Sequence, residues 1–139
     1  MGAQRSGRCV TVLIIEDDPD DALIMQRALK WHFDVEFADS GGEGVKKAVA
    51  GKYDAVVLDY RLGDLTGTEV MARIREGRPE LPVIITSGMG SHFIVARTLA
   101  LGARNFVSKD EPNFAQRLLH AVQEVTATEK VTVEEKANI

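Results

Sequence analysis

Four apolar runs in this chain end in residues able to do chemistry. Ala55-Val56-Val57-Leu58 ends in Asp59, and Cys9–Ile15 ends in Glu16-Asp17-Asp18. Val83–Thr86 ends in Thr86 and Ser87, and Asn105–Val107 is followed by Ser108 and Lys109. A single Asp after an apolar run is ordinarily a turn former or a helix cap. Several carboxylates brought within a few ångströms of one another are different, because each resists ionising unless a cation compensates it. Lys109 supplies one cation on a long stem. A hard divalent metal is the other, and Mg²⁺ takes oxygen ligands, preferring one or two carboxylates plus water and phosphate oxygens. No His or Cys accompanies these carboxylates, which argues against zinc and copper. A carboxylate nucleophile, Mg²⁺, a hydroxyl and a lysine suit in-line phosphoryl transfer, with the cations neutralising charge on the equatorial oxygens.

That chemistry requires elements that bring the four run ends together. Continuous rather than alternating hydrophobicity in the runs suits strands buried on both faces. Between them lie helical patterns. Ala22, Met25, Leu29 and Phe33 predict a first helix running to about Trp31 or His32. A weak second helix is expected over Gly44–Ala50, after an Asp39–Gly42 turn, with Val45, Ala48 and Val49 inward and Gly51 as a left-handed cap. Val70, Met71 and Ile74 mark a third helix over Gly67–Glu76; a fourth is expected over Ser91–Leu101, closed by Gly102. Phe114, Leu118, Ala121, Val122 and Val125 give the last helix its apolar face. Five strands alternating with five helices predict an α/β fold, a doubly wound five-stranded parallel sheet of flavodoxin-like order 2-1-3-4-5. In that order the first and third strands are adjacent, so the acidic cluster stands beside Asp59 at the carboxyl edge, where such sheets carry their sites.

The segments Val12-Leu13-Ile14-Ile15-Glu16-Asp17-Asp18, Val56-Val57-Leu58-Asp59-Tyr60-Arg61-Leu62, Leu81-Pro82-Val83-Ile84-Ile85-Thr86-Ser87-Gly88 and Gly102-Ala103-Arg104-Asn105-Phe106-Val107-Ser108-Lys109 occur in this order along the chain. In that order and spacing the chain resembles the receiver domain of two-component response regulators over about Val10 to Val125. The resemblance implies a (βα)5 receiver fold in which Asp59 is the phosphoacceptor for a sensor histidine kinase. It implies Mg²⁺ held by Asp17, by Glu16 through water, by Asp59 and by the backbone carbonyl of Arg61. Asp18, one place later, is equally well read as a helix cap. Thr86 would hydrogen-bond a phosphoryl oxygen and Lys109 would ion-pair with another. Phe106 falls where the family carries an aromatic switch residue, although it lacks the hydroxyl of the Tyr often found there and is also simple strand packing.

The sequence departs from the family pattern in three places. Asp110 follows the lysine where proline is usual, Gly63 stands where proline is common, and Arg61 puts a cation two residues past the acceptor. From there Arg61 is expected to affect how long a phosphoryl group survives. Arg61 also weighs against a phosphatase, which would need a second Asp at that position as general acid. Ser40-Gly41-Gly42-Glu43-Gly44 follows a strand, but its spacing misses the dinucleotide-binding pattern. The remaining alternatives are a receiver that serves only as a docking surface, and an intermediate that passes phosphate to a histidine phosphotransfer protein.

The composition of the 139 residues is that of an ordinary globular protein, 45% hydrophobic and 27% charged. A formal charge of −4 gives no footing for nucleic acid, and no apolar stretch has the roughly 20 residues of a membrane span. The lone Cys9 forms no internal disulfide, so a cytoplasmic location is expected. The organisation expected is a flexible leader at 1–8, the receiver at 9–126 and a polar tail at 127–139, either disordered or a helical dimer contact. A stand-alone regulator, monomeric or weakly dimeric, would signal to a downstream protein target through His92, Phe93, Arg97, Phe106, Gln116 and Arg117.

Overall fold

The sheet runs in the order β2-β1-β3-β4-β5, all parallel, in a computed structural model that describes residues 10–88 and 92–127. The expected leader, Cys9, residues 89–91, the side chain of His92 and the tail from 128 lie outside the described residues. The elements are β1 (Thr11–Ile15), α1 (Pro19–Leu29), β2 (Asp34–Ala38), α2 (Gly41–Ala50), β3 (Ala55–Asp59), α3 (Gly67–Gly77), β4 (Val83–Ser87), α4 (His92–Ala100), β5 (Asn105–Ser108) and α5 (Phe114–Thr126). The predicted fold class and strand order are therefore those observed.

Alternate residues of each central strand enter opposite cores, as the two-residue period of a strand dictates. Leu13, Ile15, Val56, Leu58 and Ile85 pack with Val70, Met71 and Ile74 of α3 on one face. Val12, Ile14, Val57 and Ile84 pack with Met25 and Leu29 of α1 and with Leu118 and Val122 of α5 on the other. Both faces are covered, which is why these strands are apolar without alternation.

Helix starts follow local capping chemistry. Asp18 caps α1 by accepting from the Asp20 amide at 2.9 Å, with Pro19 opening the helix. Thr66 and Glu69 form a reciprocal capping box on α3.

Two helix boundaries differ from the periodicity by more than one residue. The first helix ends at Leu29, short of Trp31, because the amides of His32 and Phe33 both turn back to the Leu29 carbonyl at 3.0 Å. That tightened turn drops Phe33 into the core and leaves Trp31 outside. The second helix begins at Gly41, inside the expected turn. Ser40 accepts from the Glu43 amide, and the Asp64 carboxylate accepts from Gly41 and Gly42 at 2.8 and 2.9 Å, so the two glycines join the helix. Gly51 is extended, with φ −92°, and is not a left-handed cap; a Cβ there would lie 2.5 Å from the Tyr53 ring. The left-handed glycine is Gly102, with φ +100°, directly after α4. Val49, expected inward, is exposed on α2, where it covers Gly77 of α3.

At Gly44 the second helix lies directly on β1, where a Cβ would stand 2.5 Å from Cδ1 of Ile15. Ile15 is fully buried in β1 and has no room to retreat. Gly44→Ala is expected to destabilise the fold by about 1–3 kcal/mol through overpacking, despite alanine's better helix propensity. Urea denaturation of the two proteins measures the difference.

Candidate functional site

Asp59 is the last residue of β3, and Thr86 is its register partner on β4. The ladder continues past the strands: the Tyr60 amide donates to the Thr86 carbonyl at 2.8 Å, and the Lys109 amide donates to the Ser87 carbonyl at 2.9 Å. Backbone pairing thus sets Asp59, Thr86 and Lys109 along one edge. Glu16, next after β1, is tied by its own amide to the Ala38 carbonyl at 3.0 Å.

The Lys109 ammonium sits among three carboxylates, 2.7 Å from Glu16 Oε1, 2.8 Å from Asp21 Oδ2 and 3.0 Å from Asp59 Oδ1. Glu16 and Asp59 are buried, and Asp21 stands nearer the mouth. Burial pushes the Glu16 carboxyl up to about 7, opposed by its hydrogen bond from Lys109. Burial likewise raises Asp59, again against the pull of Lys109. For Lys109 burial acts to lower the pKa, but its bonds to Asp21, Glu16 and Asp59 outweigh that and hold it above the ordinary lysine range. The pocket therefore holds more negative charge than one lysine neutralises.

Glu16, Asp17 and Asp59 each present an oxygen, and these oxygens lie within 4.8 Å of one another. The set is oxygen-only and includes the exposed Asp17, so it fits a hard, partly hydrated divalent cation. Opposite Asp59, Thr86 Oγ1 is buried and has no hydrogen-bond partner, which an inward hydroxyl tolerates only at a cost. The hydroxyl is thus free to donate to an acceptor that enters the pocket.

The loop after β3 is held at two points. Asp17 Oδ2 accepts from the Gly63 amide at 3.0 Å, and Asp64 binds the start of α2. Those two amide bonds hold the exposed Asp64 carboxyl below its usual pKa. A backbone bridge from Arg61 to Thr66 encloses both points, and Arg61 itself is exposed.

Of the residues expected at the acceptor site, the structure brings Glu16, Asp17, Asp59, Thr86 and Lys109 together, and Arg61 follows Asp59 in the loop after β3. Asp18 is the helix cap, and Phe106 is half-buried on β5 against the α3-side core. Of the expected signalling surface, Phe93 is 71% exposed with the Arg97 guanidinium over its ring at 5.8 Å, and Gln116 and Arg117 are exposed on α5. Phe106 and Arg117 also line a shallow cavity of about 200 Å³ between β5 and α5. Two participants were not singled out from sequence, Asp21 and Asp64. Asp21 stands in the first turn of α1, four residues after Asp17, and that nearness in the chain was its only signal.

An α/β sheet of order 2-1-3-4-5 with an acidic pocket, a hydroxyl and a lysine at its carboxyl edge defines a receiver-type signalling module. Residues 12–123 match the response regulator receiver domain, and the chain belongs to that family. It is 35% identical over 99 residues to the cell cycle response regulator CtrA of Brucella ovis; the match takes in 70% of this chain and 43% of that protein. The chain thus spans less than half the length of the curated relatives it matches. Among solved structures it is similar to a CheY-like response regulator receiver domain protein from Methanospirillum hungatei JF-1, with a TM-score of 0.80, 26% identity and coverage of 88% of this chain and 98% of that one. A receiver domain from Clostridium thermocellum shares the fold, with a TM-score of 0.78, 23% identity and the same coverage. Receivers of this family take phosphate from histidine kinases, bind Mg²⁺ in an acidic pocket and pass signals to downstream targets. Among the described residues no helix is long and apolar enough to cross a membrane.

Proposed function

We propose that this chain accepts a phosphoryl group on Asp59 from a sensor histidine kinase and signals by altered binding of a partner protein to its own surface. The observation that carries the proposal is the unpartnered Thr86 hydroxyl standing opposite a buried Asp59 that is already paired with Lys109. An Asp59 oxygen attacks phosphorus; the bond from phosphorus to the donor's imidazole nitrogen breaks, and that nitrogen keeps the electron pair and takes a proton. Thr86 and Lys109 then each contact a phosphoryl oxygen. Asp17 and Asp59, Glu16 through water, and the Arg61 carbonyl would hold Mg²⁺, which when bound neutralises charge on the phosphoryl group. Phe106 and the exposed face of α4 and α5 carry the response outward. Incubation with a small phosphodonor and Mg²⁺ tests the proposal: intact-mass measurement should show one added phosphoryl group, lost when Mg²⁺ is chelated. An unchanged mass would leave a docking module.

We propose that Arg61, exposed two residues past the acceptor, covers the phosphoryl group against water once Asp59 is phosphorylated. Arg61→Ala is expected to hydrolyse its acyl phosphate severalfold faster, measured as decay of the phosphorylated mass after the donor is removed. An unchanged rate would remove Arg61 from the chemistry.

A further inference from the structure

Lys109 donates hydrogen bonds to Glu16 and Asp21 and makes an ion pair with Asp59 at 3.0 Å, so three carboxylates surround its one ammonium. A phosphoryl oxygen arriving at Asp59 recruits the ammonium only by replacing one of these contacts. The contact with Asp59 Oδ1 lies at the acceptor itself. Glu16 is the poorer candidate for release, because its side chain is 1% exposed and would be left as an unpaired charge on the pocket floor. Asp21 is 34% exposed on the first turn of α1, where water replaces the lost partner. The balance of desolvation therefore selects Asp21 as the contact that opens.

We propose that Asp21 is a positioning residue that restrains Lys109 in the resting protein and so lowers the pocket's affinity for a phosphoryl group. The inference rests on Asp59 being the phosphoacceptor. It makes the resting state an intramolecular competition, in which the α1 carboxylate and the phosphoryl oxygens contend for one ammonium. Phosphorylation then also frees a carboxylate at the start of α1, a change in charge on the surface next to the site.

Asp20 provides a charge-matched control. It is the neighbouring carboxylate on the same helical turn, exposed, and outside the three ion pairs that Lys109 makes. Beryllium fluoride with Mg²⁺ serves as a phosphoryl mimic, and its affinity is read by titration for wild type, Asp20→Asn, Asp21→Asn and Asp21→Glu. Asp21→Asn is expected to bind about fivefold tighter than wild type. Asp20→Asn should shift much less, and Asp21→Glu should return toward wild type by restoring the anion. Equal effects of the Asp20 and Asp21 changes would overturn the inference, as would weaker binding by Asp21→Asn, while leaving Asp59 as acceptor. A wild-type protein that binds no beryllium fluoride and takes no phosphoryl group would overturn the acceptor assignment and this inference together.

Discussion

Asp59→Asn is expected to end phosphoryl uptake and, at the same time, to stabilise the resting protein. An amide oxygen is a far weaker nucleophile than a carboxylate, and no other carboxylate at the site has the Thr86 hydroxyl as its register neighbour. The mass gain from a small phosphodonor should therefore disappear. Stability moves the other way because Asp59 is one of the buried anions crowded around a single ammonium. Its folded pKa is raised, chiefly by burial, so the ionised form is penalised in the native state relative to the unfolded chain. Asparagine keeps an oxygen for Lys109 to donate to and removes the charge. A gain of about 1 kcal/mol at pH 8 corresponds to some 3 °C in Tm for a domain of this size. The sign follows from linkage. A raised carboxyl pKa means the penalty is present at high pH and fades as the native group takes up its proton, so the advantage of Asp59→Asn should shrink on acidification. Thermal melts of both proteins at several pH values test this, and a variant less stable than wild type at pH 8 would show that the carboxylate is net stabilising.

The opposed effects on function and stability explain why so much of this site was visible in the sequence. A carboxylate at the end of an apolar strand is unfavourable unless something compensates it, and Glu16, Asp59 and Lys109 stand at such ends. Strand periodicity locates those ends well, since both cores demand continuous apolar runs and the polar residue that breaks each run marks the edge. Contacts that depend on how a helix sits over the sheet were beyond that logic. Asp21 looks like any acid in a helix's first turn, and the 2.8 Å contact with Lys109 exists only because α1 and the loop after β5 meet over the same edge. Asp64 is similar: nothing local to the loop after β3 says that its carboxylate will start α2, twenty-three residues earlier in the chain. The early start of α2 shares that origin, since its first amides found a carboxylate that tertiary structure brings to them. The early end of α1 is local, a backbone turn onto the Leu29 carbonyl, and side-chain periodicity does not record backbone hydrogen bonds of either kind. Thr86 lies between the two kinds. Its type and place were legible, but its unpartnered hydroxyl is a property of the packed site.

Lys109→Met tests the charge balance from the other side, and its expected effect on stability is the largest of any single change at the site. The substitution keeps an unbranched apolar stem and removes the only cation paired to Glu16, Asp21 and Asp59 among the described residues. Breaking a buried ion pair from one side costs about 3–5 kcal/mol, and the lower end applies here because Asp21 is partly exposed and rehydrates. Glu16 and Asp59 also lose the interaction that restrains their upward pKa shifts, so both should shift further upward. The pH dependence then has a definite sign. For a carboxyl raised from 4.5 to about 7, as Glu16 is in the wild type, the native state holds a proton that the unfolded chain has released. Its stabilising contribution is full below pH 4.5 and is lost as pH rises through 7. In Lys109→Met that loss should be deeper and extend to higher pH, so the deficit relative to wild type narrows on acidification. Adding Mg²⁺ at pH 8 should recover part of it, because a divalent cation replaces the missing charge among the same carboxylates. Urea titrations from pH 6 to pH 8.5, with and without Mg²⁺, measure both effects. A deficit independent of pH and of Mg²⁺ would show that Lys109 serves mainly as packing, and that the carboxylates are neutralised by other means.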